Sequence, residues 1–161
     1  MIVVLHNIRS VFNVGSIFRT ADGVGIEKIY LCGITPGPLD KFGLERKDFT
    51  KVSLGAEKSV NWERKYSTVK LLDKLKKDGY QILAVEQDAK SVPYYEINRF
   101  LAGARNDKNI CLVMGSEVGG LPESVLSRAD KILEIPMKGK KESLNVAVAF
   151  GIVVYHLMYS H

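Results

Sequence analysis

The chain is poor in cysteine and has no long apolar run. Its 161 residues include two cysteines, Cys32 and Cys111. Each sits inside a strand-like apolar stretch, so buried thiols are expected and a disulfide is not. No Cys-x-x-Cys occurs, and His6, His156 and His161 lack metal-ligand spacing. Core or surface roles suit His6 and His156 better, which disfavours metal catalysis. Gly23-Val24-Gly25 lacks the third glycine of a dinucleotide fingerprint and follows a helix-like segment, and no Walker lysine follows a glycine-rich loop. No apolar run approaches the roughly 20 residues that span a bilayer. Met1 to His6 has neither a basic stretch before it nor a small-residue cleavage site after it, so it reads as a first strand and not a signal peptide. These absences point to one cytoplasmic domain over residues 1–161, built without disulfide, membrane span or metal.

What is present is a modest and uneven positive charge. The net charge is +5, and the stretch from Lys41 to Asp78 alone holds eleven basic and six acidic residues. The rest of the chain is therefore neutral in sum. A basic zone on a neutral body suits a polyanion, although a solvated helix face plus a charged loop reads equally well from charge alone.

Short β-branched runs alternate with helix-like segments. Strands are expected at Ile2–Leu5, Lys28–Leu31, Gln81–Glu86, Asn109–Met114 and Lys131–Ile135, and helices at Val14–Gly23, Thr68–Asp78, Pro122–Ser127 and Asn145–Tyr159. Alternation of this kind predicts an α/β fold: a mainly parallel sheet with helices on both faces. The weakly periodic stretch from Gly33 to Tyr66 reads as a short helix plus a substrate-facing loop. In the first helix Val14, Ile17, Phe18 and Ala21 form one apolar stripe, with Asn13 as expected N-cap. Ser16, Arg19 and Thr20 then face away from the core. The last helix is apolar almost all round, and in so small a domain the cover expected for it is a partner subunit.

Three polar segments follow expected strands. Asn7 to Asp22 leaves the first strand and opens the first helix, a place where free backbone N–H groups suit anions. Leu112 to Pro122 ends an apolar strand in glycines and an acid. Ile135 to Asn145 ends another, with Ser143 or Asn145 capping the last helix. Each alone could be turn chemistry; three in one small domain suggest a shared site at the carboxyl ends of parallel strands.

The three segments resemble the three motifs of the SpoU/TrmH family of SPOUT-class RNA methyltransferases. Asn13 to Thr20 matches Asn-x-Gly-x-Ile-x-Arg-Thr. Gly115-Ser116-Glu117 with Gly119-Gly120-Leu121 matches the second motif, and Ile135-Pro136-Met137 with Ser143-Leu144-Asn145-Val146-Ala147 the third. Order and spacing hold from Asn7 to Tyr159. The resemblance implies a C-terminal trefoil knot, S-adenosylmethionine bound within it largely through backbone groups, and a homodimer in which the first-motif arginine lies near the partner's cofactor. It implies that Arg19 is catalytic with Asn13 as its partner, and that Glu117, Ser143 and Asn145 form the polar shell. It also implies that Gly115, Glu117, Ile135, Met137 and Leu144 line the cofactor pocket.

The implied activity is ribose 2′-O-methylation of tRNA or rRNA. The donor is already activated, so the site must align the hydroxyl and help remove its proton. Arg19 is an awkward base because guanidinium stays protonated; holding a phosphate and orienting the ribose is the other reading of it. Arg9, Arg19, Arg46, Lys47 and Lys51 are the expected RNA contacts. The chain starts at its first strand with no separate RNA-recognition domain in view, so the target RNA stays open. Two alternatives stand beside this reading: a dimeric RNA-binding protein of the same fold without methyl transfer, and a SPOUT enzyme that methylates a base. The first-motif arginine favours ribose, and a binding-only protein has no need of Asn13, Arg19, Glu117, Ser143 and Asn145 together.

Overall fold

The structure is a computed structural model and describes residues 1–97 and 109–160. Among the described residues seven strands form one sheet: β1 (Ile2–His6), β2 (Lys28–Cys32), β3 (Asn61–Lys65), β4 (Gln81–Val85), β5 (Val92–Pro93), β6 (Ile110–Met114) and β7 (Lys131–Glu134). Their order is β3-β2-β1-β6-β4-β7-β5, and every pairing is parallel. Among the described residues the helices are α1 (Val11–Val24), α2 (Lys47–Ser53), α3 (Ala56–Ser59), α4 (Thr68–Lys77), α5 (Glu123–Leu126) and α6 (Val146–Tyr159), with a 3-10 turn at Tyr94–Glu96.

Alternation along the strands divides the core. Val3, Leu5, Ile29, Leu31, Leu112 and Met114 pack with α1 and α6, while Ile2, Val4, Cys111, Val113, Ile82 and Ala84 pack with α4 and α5. The central strand β6, Ile-Cys-Leu-Val-Met, is buried along its whole length. A strand covered by helices on both faces reads as such an unbroken apolar run. Cys32 and Cys111 are free and buried. Burial pushes the Cys32 thiol up to about 11 and the Cys111 thiol upward as well. Among the described residues no helix is long and apolar enough to cross a membrane.

Three expectations change. The first concerns the cap of α1. The helix begins at Val11, and its N-cap is Ser10, whose Oγ accepts from the Asn13 N–H at 3.2 Å. Asn13 lies inside the first turn, and its side chain is therefore free to leave the helix. The second concerns residues 33–66, which contain α2, α3 and a full edge strand. β3 escaped notice because Asn-Trp-Glu-Arg-Lys is polar. An edge strand has one neighbour and profits from charge: Glu63 takes Lys28 from β2 at 2.7 Å and Lys65 from its own strand. The two-residue β5 at the opposite edge was too short for any periodicity.

The third concerns α6. Val146, Phe150, Val153, Val154 and Leu157 are buried within this chain, not against a partner. A second stripe faces outward: Val148, Tyr155 and Tyr159 are 51%, 48% and 65% exposed, and the two tyrosine rings stack at 5.8 Å. The helix is thus apolar on a covered face and apolar on an open one. His161 lies outside the described residues.

Candidate active site

Parallel strands all end at the same edge of the sheet. A cleft of about 450 Å³ opens there, beyond the ends of β4, β6 and β7. Its walls include Gly115, Glu117, Ile135, Met137 and Leu144, all five residues expected to hold a cofactor, together with Ser143 and Asn145. The volume lies in the usual range of small-molecule sites.

The loop after β6 is shaped by glycine. Gly120 has φ +59°, in the left-handed region, and its N–H donates to the Ser116 carbonyl at 3.0 Å. A Cβ on Gly115 would stand 2.7 Å from the Gly120 carbonyl carbon and 2.9 Å from its oxygen. Gly115 is therefore needed because backbone packs on backbone.

At the mouth of the cleft, side chains from all three segments are joined. Glu117 accepts from the Arg9 N–H at 3.1 Å, the Ser10 N–H at 3.3 Å and Asn13 Nδ2 at 2.9 Å. Asn13 Oδ1 accepts from Asn145 Nδ2 at 3.0 Å. Asn145 Oδ1 in turn caps α6, accepting from the Ala147 and Val148 N–H groups at 2.9 and 3.4 Å. One hydrogen-bonded chain thus runs from a carboxylate to a helix N-terminus. Partial burial pushes the Glu117 carboxyl upward, but Asn13 and the backbone N–H groups of Glu117, Arg9 and Ser10 outweigh it and hold it below its ordinary value. Glu117 is an ionised acceptor at neutral pH.

Sequence reasoning missed the β4 end. Val85, Glu86 and Gln87 line the cleft, as does Glu134 at the end of β7. Glu86 braces the β6 loop, accepting from the Leu121 N–H at 2.8 Å. Glu134 accepts from Ser91 Oγ at 2.7 Å. A strand was expected up to Glu86, but its place between β6 and β7 follows from the crossover order, which no local pattern contains. Among the described residues no group of three or more His, Cys, Asp or Glu side chains could hold a metal.

The chain that carries this cleft is matched by known proteins. The sequence model of the SpoU rRNA Methylase family matches residues 1–155. The chain belongs to that family. The tRNA (guanosine(18)-2′-O)-methyltransferase of Aquifex aeolicus is 32% identical over 155 residues, which are 96% of this chain and 67% of that protein. A solved TrmH/SpoU tRNA modifying enzyme from A. aeolicus superposes with a TM-score of 0.81 at 31% identity, covering 98% of this chain and 73% of the other. An AdoMet-bound rRNA methyltransferase from Sinorhizobium meliloti gives 0.81 at 30% identity, with coverages of 97% and 54%. The SpoU-family chain spans 57 to 67% of the length of the curated relatives from Aquifex aeolicus, Staphylococcus haemolyticus and Escherichia coli.

The basic residues lie outside the cleft of this SpoU-family chain. Arg19 is exposed on α1 and does not line it. Six residues separate Arg19 from Asn13, which on a helix is about 9 Å along the axis and roughly 120° around it. Among the described residues no hydrogen bond or ion pair joins Arg19 to its own chain's Glu117–Asn13–Asn145 cluster. Arg9 gives the cluster its N–H and leaves its side chain exposed. Arg46 precedes α2 and is held by Asp48 at 3.0 Å. Lys47 and Lys51 are exposed on α2.

Proposed function

We propose that this SpoU-family chain transfers the methyl group of S-adenosylmethionine to a ribose 2′-hydroxyl of tRNA or rRNA, as one domain over residues 1–161 that works as a homodimer. The observation that carries the proposal is the Glu117–Asn13–Asn145 chain at the mouth of the cleft. It joins the three segments whose order defines the family, and it does so beside a pocket of cofactor size.

The cleft fits the cofactor on chemical grounds. Val85, Leu133, Ile135 and Met137 offer apolar wall for an adenine, and Glu86 and Glu134 put carboxylates where a cationic ligand benefits. When bound, S-adenosylmethionine supplies a methyl group on a sulfonium centre. The chain's own residues have the remaining work. Asn13 and Asn145 are locked by their hydrogen bonds and by the α6 cap, so they hold polar atoms in fixed directions for a substrate hydroxyl. Ser143 stands at the cleft as a further donor or acceptor. Glu117 stays ionised and fixes Asn13.

Arg19 enters through the dimer. Exposed on α1 and outside the lining of its own cleft, it is available to a partner's. The outward stripe of Val148, Tyr155 and Tyr159 on α6 supplies the apolar surface for association. Phe12, Val118 and Leu144, exposed beside the cluster, extend that surface around the cleft mouth. In this reading each active site takes its polar shell from one protomer and its guanidinium from the other. Arg9, Lys47 and Lys51 hold RNA phosphates, and the enzyme works in the cytoplasm with its RNA.

The test combines calorimetry with S-adenosylmethionine and mass-spectrometric mapping of methylated nucleosides in RNA from cells with and without the gene. The expected result is saturable binding and loss of one 2′-O-methylated nucleotide. Loss of a base-methylated nucleotide instead would move the chemistry off the ribose, and RNA binding without cofactor binding would make this a non-catalytic protein of the same fold.

A further inference from the structure

The segment between β2 and α2 ends in a small hairpin at residues 39–45. The hairpin is held tightly for its size. Asp40 Oδ1 accepts from the Phe42 N–H at 2.8 Å and the Leu44 N–H at 2.9 Å. The Asp40 N–H donates to the Leu44 carbonyl at 2.8 Å, and the Arg46 N–H to Pro38 at 2.8 Å. Leu39 and Glu45 face each other as an antiparallel bridge, and Gly43 turns the chain with φ +79°.

This rigid turn presents an aromatic ring to solvent. Phe42 is 76% exposed, and the Lys41 ammonium sits 5.0 Å from its ring centre. Burial gives no reason for a phenylalanine here. Lys41 beside the ring, and Lys47 and Lys51 on the helix that follows the hairpin, have no salt-bridge partner among the described residues. Of the nearby carboxylates, Asp40 is engaged by backbone N–H groups and Asp48 by Arg46, which leaves Glu45.

The hairpin is also tied to the candidate site. At its root Thr35 Oγ shares its one proton between the Leu5 and Cys32 carbonyls and accepts from the Ile8 N–H, and Ile34 N–H donates to Asn7 Oδ1. Residues 7 and 8 lead directly to Arg9 and Ser10, whose N–H groups bind Glu117.

We infer that Phe42 is a stacking platform for an unpaired base of the RNA substrate, so that this chain selects RNA whose target region is single-stranded. The inference rests on the RNA reading above and names the substrate class within it. A paired helix buries its base faces and offers an exposed ring nothing but a phosphate surface. An unpaired base offers a π-face to the ring and a phosphate to the flanking lysines. A fixed turn loses little entropy in making that contact. Leu39 and Leu44 of the same hairpin are exposed as well, but the three lysines without a salt-bridge partner favour a polyanion over a protein surface.

Fluorescence anisotropy tests this with two labelled RNAs, a hairpin with an unpaired loop and a blunt duplex of the same stem. Phe42→Ala should weaken hairpin binding by about 10-fold, within the range measured for base–aromatic stacking, and leave duplex binding unchanged. Phe42→Trp should restore it, with the added indole quenched by the hairpin; Phe42→Leu should behave like alanine. Equal losses on both RNAs, or full affinity in Phe42→Leu, would overturn the inference. A changed sedimentation coefficient of RNA-free Phe42→Ala would overturn it too, by showing a protein interface. The assay needs no methyl transfer. A wild type that stacks unpaired RNA through Phe42 but transfers no methyl would sink the catalytic reading alone, and one that methylates RNA with indifference to Phe42 would sink the stacking inference alone.

Discussion

Asn13→Asp is the sharpest test of the polar chain, because it exchanges one amide NH₂ for oxygen and leaves the shape unchanged. Asn13 Nδ2 donates to Glu117 Oε1 at 2.9 Å, so the variant sets two carboxylate oxygens at that separation. The lost hydrogen bond to a charged acceptor is worth about 1.5 kcal/mol, the low end of its range, because Glu117 is exposed and water replaces the donor. Two unit charges at this distance repel by about 1.4 kcal/mol in a water-like dielectric. The two effects bound the loss at roughly 3 kcal/mol, and swinging apart into solvent brings the expected value to about 2 kcal/mol. The pH dependence fixes the cause. In the wild type Glu117 is held below its ordinary range, so it contributes stability that is present above the unfolded carboxylate pKa and is lost as pH falls through the folded value. In the variant the like charge raises it, so the deficit is largest at neutral pH and shrinks in acid, where one shared proton restores a donor. Urea unfolding at about pH 7 and about pH 4 reads this directly. Asn13→Ala is the control: it adds no charge, loses this bond of about 1.5 kcal/mol together with the one accepted from Asn145, and varies less with pH. Both variants should lose roughly 100-fold in single-turnover methyl transfer through misplaced groups. An aspartate variant as stable as wild type at neutral pH, or a deficit independent of pH, would refute the Glu117–Asn13 contact.

Arg19→Ala should keep the fold and the cofactor affinity, because Arg19 lies opposite the buried stripe of α1, and lose nearly all methyl transfer. Arg19→Lys should be almost as inactive if the planar fork is required, and wild-type-like transfer by the alanine variant would remove Arg19 from the mechanism. Val148→Asp or Tyr155→Asp should shift sedimentation from dimer to monomer without unfolding, whereas Val153→Asp should unfold the chain by burying a carboxylate in its own core; a wild type that sediments as a monomer at micromolar concentration would defeat the dimer reading. Gly115→Ala should lower both thermal stability and cofactor affinity, since its Cβ would strike the Gly120 backbone, and unchanged affinity by calorimetry would show that the loop is not part of the pocket.

Local chemistry in the sequence determined a good deal. Alternation of β-branched runs with helix-period segments marked five of the strands and the longer helices to within a few residues, because the core-facing positions repeat with the period of the element that bears them. The stripe of Val14, Ile17, Phe18 and Ala21 is fully buried as its spacing required. Motif order was enough to bring Gly115, Glu117, Ile135, Met137 and Leu144 to one cleft, since parallel strands deliver their C-terminal loops to one edge. Other features depended on who lies beside whom. β3 is charged because it is an edge, and being an edge is a property of the assembled sheet. Glu86 joins the cleft because β4 sits between β6 and β7, an order set by crossovers between distant segments. Asn13 turned from an expected cap into the link between Glu117 and Asn145, residues more than a hundred positions away, once Ser10 had taken the cap. The division of α6 into a buried and an open apolar face was equally beyond its own residues, since periodicity shows that a helix is apolar all round but only packing decides which side the chain itself can cover.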